Sequence, residues 1–517
     1  MRNKWCLALI MYCILVPLVA SQDVRSLNKI PGSVESTAQR LTHQLKKQGY
    51  EVARGYLKLY TKEDCDYSYP VFKTCFSNNP AAPYILPVLP TWRDEWLDPS
   101  LYGVFGPTQE AYNTTFRLDP REAILILGQL PPPGRYFGIQ TYVFTRQGDF
   151  EEGSDQYKFI STAYPGMLDM FFTHDPVDST RIELLATLGN STNNVVIENR
   201  SAAAFNEQRY FVITPDQYME EAVRGVLTDL GVEGNEVFSE PISSLLEVGL
   251  GRAADDFFTV IRYAMPTDEN AAEKWRRNLP LVLLRVRDHR EGRQPIPYDP
   301  VTLDPQSRQT PPESALAPEL ANLVAAVCRK WGVACSSSAP GQNVWRLVPV
   351  QLPPFQTVGP TCIEIGMNCL ADNQDAAYSF SAKLPFTSQR VYAAVGALST
   401  ETGSATYVGL GINASKRQQG VDNVSDEDLF GSAADYGPAV TDHRNFFVYY
   451  LARDCSALPT FASQHCRPIT ESQIADYDPA DPDSDRLMLS LRDYIFPGSE
   501  RGPDPAYVLP PYVIAVK

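Results

Sequence analysis

The order of apolar and polar positions divides this chain into two β-rich stretches around a segment that alternates strand and helix. Near the start, Val34, Leu41 and Leu45 recur at helical spacing. Lys46 and Lys47 close that run and Gly49 supplies a C-cap, so a helix is predicted over 34–49. Residues 64–110 show no period and are dense in Pro, Tyr and Asp, which predicts irregular structure. From 113 to 200 the segments TFRL, AILILGQL, RYFGIQTYVF and RIELLATL read as strands separated by DP, PPPG, RQGD and GNST turns. AILIL is a continuous apolar run, the pattern of a strand buried on both faces.

Residues 208–288 carry the clearest pattern. QRYFVIT is a strand, and Asp216 caps a helix that places Tyr218, Ala222, Val226 and Leu230 on one stripe before Gly231. NEVFSEPI and DDFFTVIRYAM are two further strands. TDENAAEKWRRN is a helix with Thr267 as cap and Asn270 at its third position, and LPLVLLRVRD closes the unit as a strand. The order β-α-β-β-α-β is that of a ferredoxin-like unit. HREGRQPIPYDPVTLDPQSRQTPPE then reads as a linker. PELANLVAAVCRKWG predicts a helix with Leu320, Leu323, Val324, Val327 and Trp331 inward and Gly332 at its end. RVYAAVGAL, ATYVGLGIN, NFFVYYLA, MLSLRDYIF and YVIAV predict a β-rich C-terminal region.

The expected fold class is therefore α+β: antiparallel β-rich, sandwich-like N- and C-terminal regions with a ferredoxin-like βαββαβ unit between them. The expected divisions are 1–21, a signal peptide; 22–110, a helix and disulfide-pinned irregular region; 111–204, β-rich; 205–290, the ferredoxin-like unit; 291–315, the linker; and 316–517, a helix followed by a β-rich region. Whether 316–517 pairs with 111–204 is left open by the pattern.

Composition sets the compartment. Arg2 and Lys4 precede an apolar run from Trp5 to Val19 and a small-residue exit at Val19-Ala20-Ser21, the layout of a secretory leader. No other stretch approaches the ~18 continuous apolar residues of a membrane span. Past the leader stand Cys65, Cys75, Cys328, Cys335, Cys362, Cys369, Cys455 and Cys466. An even count in a secreted chain reads as disulfides, and nearest-neighbour pairing closes the shortest loops. Each bridge is worth roughly 2–3 kcal/mol. Spacings of seven or more do not suit structural zinc. Sequons at Asn113, Asn190, Asn199, Asn413 and Asn423 are candidate glycosylation sites. The net charge of −16 argues against nucleic acid and anionic membrane as partners.

A resemblance follows from motif order. TFRLDPREAILILGQLPPPGRYFGIQTYVFTR, then ELLATLGNSTNN, RYFVITPDQYMEEAVRGVLTDLG and GSATYVGLGI resemble a family of uncharacterised secreted proteins across most of 75–515. Those relatives often carry an Asn-His pair where this chain has Leu398 and Ser399. The resemblance implies no activity, cofactor or catalytic residue.

Candidate chemistry is sparse. No nucleophile elbow, zincin motif, phosphate loop or dinucleotide fingerprint is present. His174 beside Asp175 is a candidate general base, set against the tendency of sequence neighbours to point apart. His443, ahead of a strand, is a second. Asp476, Asp478, Asp481, Asp483 and Asp485 crowd one loop as candidate calcium ligands, but the central Gly and terminal Glu of an EF-hand loop are absent and Pro restricts wrapping, which favours a solvated acidic loop. On RYFGIQTYVFTR a period of two puts Tyr136, Gly138, Gln140, Tyr142 and Phe144 on one face. Tyr136, Gln140 and Tyr142 are the candidate ligand-binding residues, and burial under a packing partner is the competing reading. Two function classes remain: an extracellular protein binding a carbohydrate or small apolar ligand, without a cofactor other than calcium, or a secreted hydrolase built on carboxylates or His174 or His443. Convergent titratable groups in the largest cleft would mark the enzyme.

Overall fold

The computed structural model describes residues 30–301, 303, 312–338, 341–474, 477, 478, 480, 481 and 483–517. The leader assigned to 1–21 lies outside them. The first half forms an 11-stranded, curled sheet. Its strands are β1 (Tyr50–Leu59), β2 (Ile85–Pro90), β3 (Tyr112–Asn113), β4 (Glu122–Gln129), β5 (Gly134–Gln147), β6 (Arg181–Thr187), β7 (Thr192–Asn193), β8 (Gln208–Thr214), β9 (Val237–Pro241), β10 (Asp256–Pro266) and β11 (Leu281–Asp288). They lie in the order β6-β5-β10-β2-β1-β11-β4-β8-β9, with β3 on β2 and β7 on β5. Pairing is antiparallel apart from β8 with β9. The helices are α1 (Gly32–Lys47), α2 (Cys65–Phe72), α3 (Asp155–Ala163), α4 (Leu168–Phe171), α5 (Asn194–Ser201), α6 (Gln217–Asp229) and α7 (Glu269–Asn278).

The helix stripes explain the layering. Leu41 and Leu45 of α1, with Val223 and Val226 of α6, pack on the outer face of β1, β11, β4 and β8. The inner face curls with β5 and β10 around a core that includes Ile126, Phe137, Phe257 and Trp275 of α7. Strand β4 is thus covered on both sides, and its continuous apolar run is the sequence record of that position. Full burial of each such Leu or Ile contributes roughly 1.5–3 kcal/mol.

The second half adds β12 (Val344–Arg346), β13 (Val348–Pro349), β14 (Ala376–Phe380), β15 (Leu384–Pro385), β16 (Val391–Ala397), β17 (Tyr407–Ala414), β18 (Gln419–Ser425), β19 (Phe446–Ala452), β20 (Cys466–Pro468), β21 (Arg486–Tyr494) and β22 (Tyr512–Ala515). Sheet β12-β22-β16-β19-β20 faces sheet β13-β14-β21-β17-β18, with β15 on β21, across Tyr392, Leu410, Phe447 and Leu489. Helix α8 (Ala317–Trp331) covers the far side of the first of these sheets. The shorter helices are α9 (Gly359–Ile365), α10 (Asp426–Leu429) and α11 (Thr460–Ser463). The outer face of the second sheet meets β5 and β10 through Tyr136, Ala264, Tyr407 and Tyr494.

Several expectations change here. The six elements of 205–290 occur in the predicted order, but they do not pair among themselves as a four-stranded ferredoxin-like sheet. Strand β8 pairs with β4, β10 with β5 and β2, and β11 with β1 and β4. The strands of 50–204 and 205–290 are interleaved in one sheet, because each two-sided apolar strand needs neighbours on both edges and finds them far along the chain. The α6 stripe is Met219, Val223, Val226 and Leu227. Tyr218 instead lies outside, beneath the guanidinium groups of Arg290 and Arg293. Asp268 rather than Thr267 caps α7, accepting from the Asn270 and Ala271 amides at 2.9 and 3.2 Å. TFRL contributes only a bridge between Phe116 and Phe257.

All four nearest-neighbour disulfides are present: Cys65–Cys75, Cys328–Cys335, Cys362–Cys369 and Cys455–Cys466. The loop closed by Cys362–Cys369 covers the β6 edge, with the Cys369 and Ala371 amides donating to the Leu184 and Leu185 carbonyls at 2.7 and 2.8 Å. An open edge strand is thereby closed.

Candidate functional site

The two halves leave a groove of about 750 Å³ between them. The first half contributes Arg146 at the end of β5, Leu245 from the β9–β10 connection, and Val301 and Leu303 after β11. The second contributes the 351–364 segment and the turn 501–505. Backbone geometry places that segment. The Gly359 amide donates to Asp372 Oδ2 at 2.9 Å, and a β-carbon on Gly359 would lie 2.0 Å from the Thr187 carbonyl oxygen. Phe355 anchors the loop by stacking on Phe171 at 5.1 Å between ring centroids. Leu352, Val358 and Ile363, with Pro353, Pro360 and Pro505, are left facing the groove.

The groove is aliphatic, and among the described residues no aromatic ring lines it. Its arginines are engaged. Arg146 grips Asp255 with Nε and Nη2 at 2.9 and 2.7 Å and donates to the Leu245 carbonyl at 2.9 Å. Arg501 is 5 % exposed and donates to Gln374 Oε1 at 3.0 Å. Gln351 spends its amide on the Ala376 carbonyl and the Tyr378 N–H. Glu364 is exposed and Asp504 half-buried; Asp504 accepts from the Ala506 amide at 2.9 Å. Neither carboxylate has an ion-pair partner among the described residues.

The candidates read from the sequence lie elsewhere. Tyr136, Gln140 and Tyr142 are 0–1 % exposed, so this face is not an open platform. Tyr136 donates to Asp375 Oδ2 at 2.8 Å and packs on Tyr494 at 4.8 Å. Gln140 donates to the Gly189 carbonyl at 2.9 Å, and the Tyr142 hydroxyl accepts from Arg262 at 2.9 Å. A β-carbon on Gly138 would sit 2.5 Å from the Tyr136 hydroxyl and 3.2 Å from Asp375 Oδ2, so the glycine makes room for the Tyr136–Asp375 hydrogen bond within the chain itself. Asp375 also accepts from Ser191 and Asn193, at 2.5 and 2.8 Å, and burial holds its carboxyl above the usual carboxylate range.

His174 and Asp175 point apart. The imidazole is partly exposed and contacts Asp149 at 3.1 Å. Asp175 is buried, with Oδ2 at 2.5 Å from Ser100 Oγ, which also lies 2.7 Å from Asp98 Oδ1. One hydroxyl proton cannot serve two carboxylates. Burial holds the Asp175 carboxyl above the usual carboxylate range, opposed by its hydrogen bonds to Ser100 and to the Val177 and Asp178 amides. His443 starts a single 3₁₀ turn before β19, away from the groove. In the acidic loop Asp476 lies outside the described residues. Asp481 pairs with Lys416 at 2.8 Å, Asp483 with Arg486 at 2.9 Å and Asp485 with Arg453, while Asp478 accepts from the Ala480 amide. No group of three or more His, Cys, Asp or Glu suited to a metal occurs among the described residues. Of the sequons, Asn190 and Asn199 are exposed and Asn423 half-buried, whereas Asn113 and Asn413 are 2 % and 1 % exposed. Those two side chains bond inward, to Thr115 Oγ1 and the Met488 carbonyl, which leaves no room for a glycan in the fold.

Sequence reasoning passed over TWRDEWLDPS at 91–100. Trp92 lies under Arg285 and Arg287, and Trp96 under Arg117, Arg181 and Arg252. Beside them Asp94 pairs with Arg287, Glu95 with Arg285 and Asp98 with Arg181, at 2.7, 2.7 and 3.2 Å. The signal was available as two Trp four residues apart, with Asp94 and Glu95 between them and Asp98 just after, facing the Arg285 and Arg287 of β11 among other arginines. Carboxylates pushed toward neutrality are also off the groove. Burial raises Glu183 and Asp493 to about 8, and Glu240 to about 7.

No protein-family model matches this sequence, and none of the curated proteins does. Among solved structures, the chain is similar to an uncharacterised protein from Burkholderia cenocepacia, with 10% identity, TM-score 0.34, and 94% of this chain and 95% of that one covered.

Proposed function

We propose that the protein is an extracellular binding protein that holds a small apolar ligand in the groove between its halves. One observation carries this reading: a 750 Å³ cleft, the size of a ligand site, walled by aliphatic side chains and proline. Carbohydrate is disfavoured, because sugars dock on aromatic faces and the described lining has none. A hydrolase is disfavoured because the carboxylates held near neutrality lie outside the groove. The compartment is supported by four disulfides; no described helix is long and apolar enough to cross a membrane. The resemblance to secreted proteins and the use of Asn190 and Asn199 as glycan sites belong to the same reading.

Titration with decanol, followed by displacement of an apolar fluorescent dye, tests it. Saturable binding that Leu352→Asp and Leu245→Asp both abolish is expected. Binding unchanged by both substitutions would overturn the assignment.

A further inference from the structure

We infer that the groove selects apolar ligands carrying a protonated amine; this rests on the apolar-ligand reading above and names the ligand's head group. The argument is one of charge complementarity between the groove's engaged and unengaged charges. Both arginines in the lining are committed within the protein. Arg146 is held bidentately by Asp255, and the fixed fork of a guanidinium leaves little donor capacity once both arms are paired. Arg501 is almost fully buried and donates to Gln374. An anionic head group entering the groove would meet cations whose charge is already compensated or enclosed.

The carboxylates are in the opposite condition. Glu364 projects from the last turn of α9, and Asp504 from the turn that precedes the C-terminal strand. Each lines the groove, and neither is matched by a cation among the described residues. Among the described residues the Asp504 side chain accepts only from the Ala506 amide, on Oδ1, while its backbone carbonyl accepts from the Tyr507 amide, which leaves Oδ2 open to a ligand. The aliphatic surface of Leu245, Val301, Leu352 and Val358 lowers the local dielectric, so a carboxylate beside it attracts a cation more strongly than one in open water. The net charge of −16 adds a long-range field of the same sign. An aliphatic wall with uncompensated carboxylates beside it fits a hydrophobic amine, and it disfavours a fatty acid.

Three probes of equal chain length separate the head group from the tail: decylamine, decanol and decanoate, each titrated at pH 7 in low salt. Decylamine is expected to bind about 10-fold more tightly than decanol, and decanoate more weakly than decanol. In the double variant Glu364→Gln/Asp504→Asn the affinities for amine and decanoate should converge on that variant's own affinity for decanol; added salt should narrow the wild-type gap. Equal affinities for amine and alcohol, or tightest binding of decanoate, would overturn the amine preference while leaving the apolar site standing. Failure of all three probes to bind overturns both readings. An amine preference that survives the double variant also overturns the assignment to these carboxylates.

Discussion

Two surfaces of this molecule invite comparison: the Tyr136/Gln140/Tyr142 face of β5 and the aliphatic groove. The first has the rings, the amide and the glycine expected of a recognition surface, and it is sealed. The second has none of the rings and is open. The difference lies in what each surface joins. Phenols present an apolar body and a polar edge, so they can pack against a second sheet and also satisfy a buried Asp375 or Arg262. That makes them suited to cementing two halves of one chain. The groove lies where irregular segments rich in proline hold the halves apart, and there Leu245 and Leu352 keep part of their aliphatic surface open, although Ile363 beside them packs into the core.

The comparison is broken most directly by removing a ring. Tyr136→Ala takes away the contact with Tyr494 and one donor to a buried carboxylate, and should cost roughly 3–5 kcal/mol in urea unfolding. A loss below that of Leu352→Ala would reverse the ranking of the two surfaces. Next comes pH. The Asp493 carboxyl is held at about 8, chiefly by burial, with Glu313 adding to the rise and Ser399 opposing it. In the unfolded chain the same group loses its proton near 4. Between those values the folded state holds the extra proton, so stability falls as pH rises from about 4 to about 8. Asp493→Asn should relieve on the order of 2 kcal/mol at pH 8 and little at pH 4, read as a flatter melting temperature against pH. An equal gain at both pH values would contradict it.

On the open side, Leu245→Ala trims a side chain that is 40 % exposed. It should weaken decanol binding several-fold while stability stays within about 0.5 kcal/mol. Loss of stability without loss of binding would mean that Leu245 is a packing residue. The smallest effect concerns the acidic loop. With Asp481, Asp483 and Asp485 already paired to Lys416, Arg486 and Arg453, calcium or chelator should leave the melting temperature unchanged. A rise of several degrees with calcium would restore the loop as a cation site.

Local elements were well legible. The longer apolar strands, β4, β5, β6, β8 to β11, β16, β17, β19, β21 and β22, the helices α1, α6 and α8, the Asp216 cap and all four disulfides follow from periodicity, caps and cysteine spacing, whereas α2 and β2 stand in a stretch read as irregular and β14 and β18 carry no clear alternation. Those signals are written within about 20 residues of one another. Strand partners were not legible, because β4 with β11 and β8 is decided by which distant apolar edges meet. The groove escaped for a related reason: its walls come from 146, 245, 301 and 351–364, none of which carries a motif. The Tyr face was placed correctly on one side of β5, but what covers it, a loop near 375 and strand β21, is more than 200 residues away.

The interleaving of strands also governs how the protein is made. Strand β1 is held between β2 and β11, and its register places Tyr50 opposite Asp288. A ribosome delivers residue 288 long after residue 50, so β1 waits with one edge unpaired while most of the first half is synthesised. Such a topology has high contact order and slow closure. Until β11 arrives, the waiting edges of β1 and β4 are open to wrong pairing with other chains. A translation stop just before β11 would release a fragment in which β1 and β4, paired only with β2 and β8, each keep one open edge.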